Sequence, residues 1–566
     1  MSARSAGRDW YAAKAIPQIA RILSREDREP FSPTFGCFDR IFWHERAIDF
    51  PSAIAQFAVH ALALAYAHPF PGSVYHKQAK VRDWVLAGVE YWTRIQKSDG
   101  SFDEFYPNER GWAGPTAFLL YAMLDSYRRL RSEFPRALEE RFLTACHRAA
   151  RYLARWDEAG VLANHYAIAL TAIYEAYLVF EDRALKAGFE THLRTFRGHC
   201  ATEGWSLEYD GADPGYLSGT VSFLGKLYKV YPDPEIREVA RRAIEFSSHF
   251  AYPNGFYAGT IGSRQTLHFY PHGYEVFGPE MPLAQAVADR MLEGLAEGKL
   301  VPPEIMCERY FIYRVPEFLL AYLDYTPRPP ELPALPWEGP DLARWFPEAR
   351  IYVRKAGSAY LVANMAKGGV LKLFDVDSRR LILNDCGAMG QLDSGRVVTT
   401  QWISPTTRVV REGDSCRAEG RFVVVSYTHL TPLRMIMFRA VLLALGWHSG
   451  LARWLKGLIR TLAITKSRLA PLAFSREIRL LGERLEIVDS IRAADAGRAA
   501  FRRLRLGDES TPRYVPQSRY FQAQELDVEG LWVPDEPLRQ LRERGHLTVR
   551  RVYVTGTGER LETRYE

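Results

Sequence analysis

The chain has 566 residues, of which 47% are hydrophobic, 25% charged and 13% aromatic, with a formal net charge of +7. This length allows two or more domains with a large core, and the charge is too small to indicate a nucleic-acid-binding protein. The six cysteines are scattered without a Cys-x-x-Cys pair, which argues against a disulfide scaffold or a zinc knuckle and favours reduced thiols.

The first 325 residues have the pattern of a helical domain. Residues 8–27 predict an amphipathic lead-in helix, and an aromatic-rich loop follows up to residue 51. From residue 52 to 325, apolar residues recur at spacings of three and four. Short loops between such helices pair them antiparallel, so 52–325 is predicted to be an (α/α) toroid of helical hairpins. The candidate helices are 52–67, 77–96, 114–132, 137–156, 164–180, 184–198, 215–230, 234–250, 282–295 and 308–325.

The second half has the pattern of a β domain. Six prolines from Pro327 to Pro340 mark a linker, residues 326–340, that a helix cannot cross. From residue 341 to 566, short runs rich in β-branched and aromatic residues alternate with turns. The sequence therefore predicts an α+β multidomain fold, in which the N-terminal (α/α) toroid is followed by an antiparallel β-sandwich.

One stretch of the β half has an unusual composition. Between Gly420 and Arg476 there is no Asp or Glu, while nine Lys or Arg residues occur. The insertion at about 430–475 contains two strongly apolar segments, each shorter than the roughly twenty residues that span a bilayer. A basic, apolar helical hairpin is typical of a segment on an anionic membrane surface. The alternative is an insertion packed on the toroid with its bases facing solvent.

The N-terminal sequence and the same hairpin together predict where in the cell the protein is found. The N-terminal sequence lacks an apolar segment of signal-peptide length, so export by the usual route is not expected. We therefore predict a cytoplasmic protein with peripheral contact to the inner membrane face through 430–475.

Two short motifs carry most of the chemical information. Asn164 and His165 open a segment that is apolar up to Phe180 apart from Glu175, and a helix of this kind must be buried. Only its first turn can then meet a ligand. Tyr216 follows Asp213-Pro214-Gly215, which predicts that it stands at the start of the next helix. An amide, an imidazole and a phenol at neighbouring helix starts are expected to line one cleft.

In sequence, order and spacing, these motifs resemble those of the heparinase II/III-like polysaccharide lyases, which share the order of a helical half and a β half. The resemblance covers roughly residues 35 to 560. It implies an acidic, uronate-containing polysaccharide or oligosaccharide as the partner, and abstraction of the C5 proton followed by β-elimination. Asn164 and His165 would neutralise the uronate carboxylate, and Tyr216 would protonate the leaving oxygen. His272 or His268 would be the accompanying histidine.

Chemistry alone supports such a set and leaves its details open. Removal of the C5 proton builds charge on the carboxylate, which a helix N-terminus with amide and imidazole donors can stabilise. A base must take the C5 proton and an acid must protonate O4. Tyrosine serves both purposes if its hydroxyl reaches both atoms; otherwise a histidine is the base.

Further candidates lie in loops, where functional groups concentrate. Arg264 and His268 stand in the polar segment 262–275, and a guanidinium suits a carboxylate. Two acidic and aromatic loops add candidate sugar-binding residues, namely Glu104, Trp112, Trp205 and Tyr209. A second function also stays open, because Asp103 and Glu104 are a carboxylate pair that could be the acid and the base of a glycoside hydrolase.

No metal or other cofactor is predicted. Many of the lyases that the chain resembles carry a metal site in the β half at a turn with histidine, but the comparable turn here, 384–393, has none. The three histidines of this half, His429, His448 and His546, do not form a convincing zinc set. Two other functions stay open: a uronyl C5-epimerase, which would use the same residues, and a non-catalytic glycan-binding protein of cell-surface polysaccharide assembly at the membrane.

Overall fold

The computed structural model describes residues 7–104, 113–155, 162–426, 429, 431–459, 468–493, 501–513 and 520–566. It confirms the predicted fold class, because a helical N-terminal part is followed by antiparallel sheets. The helices of the first part are α1 Asp9–Ala15, α2 Gln18–Arg25, α3 Arg40–Trp43, α4 Ala58–Ala67, α5 Ala79–Ile95, α6 Ala113–Leu130, α7 Arg136–Arg155, α8 Ala163–Phe180, α9 Arg183–Arg197, α10 Pro214–Tyr228, α11 Pro234–Ser248, α12 His272–Phe277, α13 Pro282–Ala296 and α14 Phe311–Leu323.

Alternate helices form a closed inner ring. Helix α4 contacts α6, and the contacts continue through α8, α10, α12 and α14 back to α4. Outside this ring, α5 contacts α7, α7 contacts α9, and α11 contacts α13. The sequence explains the division: α8 and α10 are apolar around most of their circumference, whereas α7, α9 and α11 keep a charged face for solvent.

The lead-in segment and the region of α12 differ from the sequence prediction. The expected lead-in helix is divided into α1 and α2, and Pro17 stands at the N-cap of the second because it cannot donate within a continuous helix. Helix α12 was not predicted. Its six residues contain Gly273, whose Cα lies against the backbone of Val221 in α10, so tertiary packing determines this helix.

The β half contains two antiparallel sheets that share one apolar core. A short hairpin, β1 Leu207–Glu208 and β2 Gly211–Ala212, belongs to the helical half. The first sheet has the order β3-β4-β5-β6-β7, and the larger sheet has the order β15-β14-β8-β9-β11-β12-β13-β16-β17, with β10 paired to β11. These strands are β3 Leu342–Phe346, β4 Ile351–Ala356, β5 Ala359–Asn364, β6 Val370–Asp375, β7 Arg380–Asp385, β8 Ala388–Leu392, β9 Val397–Thr399, β10 Arg408–Glu412, β11 Ser415–Val425, β12 Arg468–Leu481, β13 Arg484–Ala493, β14 Phe501–Leu506, β15 Leu531–Trp532, β16 His546–Val554 and β17 Arg560–Tyr565.

Helices also occur in the β half. The predicted insertion forms α15 Pro432–Leu445 and α16 Ser449–Ile459 between β11 and β12, and α17 Asp535–Arg544, which was not predicted, packs on β14 and β16. None of the described helices is long and apolar enough to cross a bilayer.

A buried charge cluster lies inside the β half. Asp385 accepts hydrogen bonds from Arg476 at 2.6 Å and from Arg551 at 2.7 Å. Asp489 lies 3.2 Å from Arg476 and 2.6 Å from Arg551, which closes the cluster. Both arginines are only 1% exposed. Asp385, the first of the two acidic residues in the turn 384–393, thus has both carboxylate oxygens paired with guanidinium groups.

Candidate active site

A cavity of about 70 Å³ lies where the N-terminal ends of inner helices converge. Helices α8, α10 and α14 contribute residues from their first turns or caps, so the partial positive charges of three helix ends point toward one space. Five residues predicted from the sequence share this cavity: Asn164, His165, Tyr209, Tyr216 and Arg264. The other lining residues are Phe118, Leu162, Gly219, Phe223, Tyr270, Arg309, Tyr310 and Tyr313.

A buried carboxylate, Glu208, connects the two loops of the cavity. Its Oε1 accepts from the backbone N–H of Asn164 at 2.9 Å and from the Asn164 side chain at 2.6 Å, while its Oε2 lies 3.2 Å from Arg264 Nη1. A bridge between Leu162 and Glu208 attaches the β1–β2 hairpin to the start of α8. Burial raises the pKa of Glu208, and Arg264 and Asn164 oppose that rise. Glu208 therefore orients both the amide and the guanidinium.

Tyr216 is fixed in the first turn of α10 by its N-cap, Asp213. The Asp213 carboxylate accepts from the Tyr216 backbone N–H at 3.0 Å and from that of Arg264 at 2.8 Å. Gly262 is required beside it, since a Cβ there would lie 2.4 Å from Asp213 Oδ2. One carboxylate thus holds both the helix start and the loop that carries Arg264.

The Tyr216 hydroxyl lies 3.0 Å from the Tyr310 hydroxyl, and the Arg264 guanidinium stands 3.9 Å above the Tyr216 ring. Burial raises the pKa of Tyr216 well above its ordinary value, although Arg264 opposes the rise. The phenol is therefore neutral at physiological pH and can donate a proton.

The loop that carries Arg264 is held by the β half. The Lys367 ammonium donates to the carbonyls of Thr260 and Gly262, and Asn364 donates to that of Ile261 at 2.7 Å. The sandwich thereby contributes to the site by positioning, although none of its described residues lines the cavity.

Sequence analysis missed a second guanidinium, Arg309, and the tyrosines Tyr310 and Tyr313. Arg309 forms an ion pair with buried Glu104. Glu104 therefore orients Arg309 and does not line the cavity itself, which differs from its predicted role in sugar binding. A signal was present: Arg309 and Tyr310 precede an inner helix just as Asn164 and Tyr216 begin theirs.

His268 is close to the cavity without lining it. Its ring stacks on Tyr310 with 4.9 Å between ring centroids, and neither ring nitrogen has a hydrogen-bond partner among the described residues. Burial and then Arg314 lower the pKa of His268 well below its usual value. In this position the imidazole supports Tyr310 as a neutral ring.

His272 lies elsewhere, so the expectation that it joins the cleft needs correction. Its Nε2 is 2.6 Å from Asp324 Oδ2, and it lines a different cavity with Lys226 and Lys229. The reason is that Gly273 of α12 packs against Val221 of α10. Val221 lies more than one helical turn along α10 from Tyr216.

Two predicted tryptophans also fall outside the cavity. Trp205 donates to Glu203 at 3.0 Å, and Glu203 accepts from the backbone of Glu348 and Ala349. Trp205 thus belongs to the contact between the two halves of the chain. Trp112 lies outside the described residues.

The described residues contain no group of three or more His, Cys, Asp and Glu side chains that could hold a metal ion. The cavity is lined by two guanidinium groups, an amide, one partly exposed imidazole and paired phenols. This set can bind an anion and supply a neutral proton donor.

No family model matches the chain, and no curated protein matches it. Among solved structures, it is similar to a mutant chondroitin AC lyase of Streptomyces coelicolor A3, with a TM-score of 0.49, 11% identity, and 88% of this chain and 67% of that chain covered. A second is the heparan sulfate lyase HepC of Pedobacter heparinus, with a TM-score of 0.38, 11% identity, and coverages of 87% and 70%. A β-L-arabinofuranosidase of Geobacillus stearothermophilus T6 has a TM-score of 0.34, 12% identity, and coverages of 75% and 93%.

Proposed function

We propose that this protein is a polysaccharide lyase that cleaves a uronate-containing chain by β-elimination. The observation that carries the proposal is the convergence of Arg264, Arg309 and Asn164 with His165 and Tyr216 in one cavity. Two guanidinium groups suit a carboxylate because each presents planar, paired donors. Both arginines are already held by carboxylates behind them, so little order has to be created when a substrate binds.

Anion binding has a chemical purpose in this reaction. When the C5–H bond of a uronate breaks, its electron pair delocalises onto the carboxylate, which then carries a second negative charge. Fixed cations and helix N-termini stabilise that charge more strongly than the ground state. Arg264, Arg309 and Asn164 are the residues assigned to this task, with Asn164 oriented by Glu208.

Elimination also needs two proton transfers. We assign the C5 proton to the imidazole of His165, which is the histidine that lines the cavity within the described part of the chain. The released electron pair forms the C4=C5 double bond, the C4–O4 bond breaks, and the Tyr216 hydroxyl gives its proton to O4. Tyr310, 3.0 Å from Tyr216, can re-supply that proton.

The test is ultraviolet absorbance of the conjugated uronate formed by elimination. Purified protein is mixed with chondroitin sulfate, heparan sulfate, hyaluronan and uronate homopolymers, and we expect absorbance to rise with at least one of them. Deuterium at C5 after reaction in heavy water, without absorbance, would instead identify an epimerase. Retained binding with neither signal would identify a glycan-binding protein, and both results would contradict the proposal.

Arg264→Lys should reduce kcat/KM about 100-fold, because lysine keeps the charge and loses the planar pair of donors. Initial rates by ultraviolet absorbance measure this effect. The matched control is Arg328→Lys: Arg328 also pairs with a fully buried glutamate, Glu275, at 2.7 Å and has nearly the same exposure, but lies outside the cavity. Equal rates for the two variants would show that Arg264 has no part in the reaction.

A further inference from the structure

The helical hairpin formed by α15 and α16 leaves an apolar surface uncovered. Within its described side chains only Leu442 and Ala452 are buried. Large apolar side chains remain exposed along both helices, and Trp447 and Trp454 are each 63% exposed. The others are Leu433, Ile436, Met437, Val441, Leu443, Leu451 and Leu458. A concentration of large exposed apolar side chains in one short segment indicates an interaction site.

The hairpin is attached to both halves of the protein. It continues from the end of the β11–β12 ladder, where Val424 pairs with Arg468. Arg439 of α15 lies 3.1 Å from Asp49 and above the Phe50 ring, which ties the hairpin to the helical half. Most of the described side chains of the hairpin are nevertheless exposed or partly exposed, so close packing on the toroid does not account for its apolar surface.

Charge identifies the occupant of this surface. The sequence from Pro432 to Ile459, which forms the hairpin, contains no Asp or Glu and four bases, Arg434, Arg439, Arg453 and Lys456. A second copy of the hairpin would bring like charges together, but an anionic lipid surface is complementary to them. The helices have 14 and 11 residues, so they are about 21 and 16 Å long and too short for the roughly 30 Å hydrocarbon core.

We propose that the α15–α16 hairpin binds the surface of an anionic membrane. Its leucines and tryptophans insert at the boundary between headgroups and acyl chains, where tryptophan is favoured, and its bases contact lipid phosphates. Membrane binding is separate from the proposed lyase cavity, because no hairpin residue lines that cavity in the described structure.

The test is flotation of the full chain with vesicles of phosphatidylcholine, with and without phosphatidylglycerol. We expect binding to the anionic vesicles only, weakened by salt. Arg434→Gln with Arg453→Gln should weaken it about tenfold or more, and Ile436→Ser with Trp447→Ser and Trp454→Ser should abolish it. All variants should keep the far-ultraviolet circular dichroism of the parent protein.

The matched control is Leu526→Ser with Trp532→Ser, which removes apolar side chains that are 76% and 54% exposed outside the hairpin. This control should float like the parent protein. Equal flotation of the control and the hairpin variants would overturn the proposal. Light scattering gives the other decisive result, since a dimer that the hairpin substitutions abolish, without vesicle binding, would show that the surface joins two copies of the chain.

Discussion

Tyr216→Phe should lower kcat about 1000-fold while KM changes less than about threefold, because the substitution removes a general acid and keeps the ring. The leaving oxygen of a glycosidic bond is a strong base, so its departure depends on a proton delivered in the transition state. Tyr216 is placed to deliver it, since it lines the cavity with its hydroxyl 3.0 Å from that of Tyr310, and burial, which raises its pKa, keeps the phenol protonated. Arg264 still finds an aromatic face at 3.9 Å in the variant. Initial rates over a range of substrate concentrations separate the two constants.

Two control substitutions make this result specific. Tyr274→Phe removes another buried hydroxyl, which donates to Ser247 at 2.8 Å away from the cavity, and should leave kcat unchanged. Tyr310→Phe should lower kcat only about tenfold, because Tyr310 acts through Tyr216 in our assignment. The reverse order of effects, with Tyr310→Phe inactive and Tyr216→Phe active, would show that Tyr310 is the general acid.

Asp385→Asn should lower the free energy of unfolding by about 3 to 5 kcal/mol, because it leaves two buried guanidinium groups with a single carboxylate, Asp489, to compensate them. Arg476 and Arg551 are each 1% exposed, and water cannot replace the lost partner. Urea unfolding followed by circular dichroism measures this change. The exposed Asp393→Asn, which removes an ion pair with Arg542 at 3.1 Å, should cost less than about 1 kcal/mol.

The same cluster predicts a pH dependence. Burial alone would raise the pKa of Asp385, but Arg476 and Arg551 outweigh burial and hold it below its ordinary 3.8. A carboxyl with a lower pKa in the folded state stabilises the protein fully above the unfolded pKa and less as pH falls through the folded value. The difference in stability between parent and Asp385→Asn should therefore shrink in acid. A constant difference down to the pH of acid unfolding would contradict this account.

Local patterns in the sequence predicted most of the helical elements. The period of 3.6 residues located α5 to α11 to within a few residues, because it depends only on which side chains must be buried within one helix. The Asn164-His165 and Pro214-Gly215-Tyr216 motifs located two helix starts for the same reason, since caps and breakers act on neighbouring residues. Helix α12 escaped prediction because packing against Val221 creates it.

The sequence by itself determined the order of a helical and a β half, the starts of α8 and α10, and the acid-free composition of the hairpin. Only the tertiary structure decided which residues meet. Closure of the inner ring brings Tyr310 to Tyr216 across 94 residues, and it turns His272 toward Asp324 instead. Such contacts depend on how whole helices pack around the ring, and residue spacing within one helix carries no information about that arrangement.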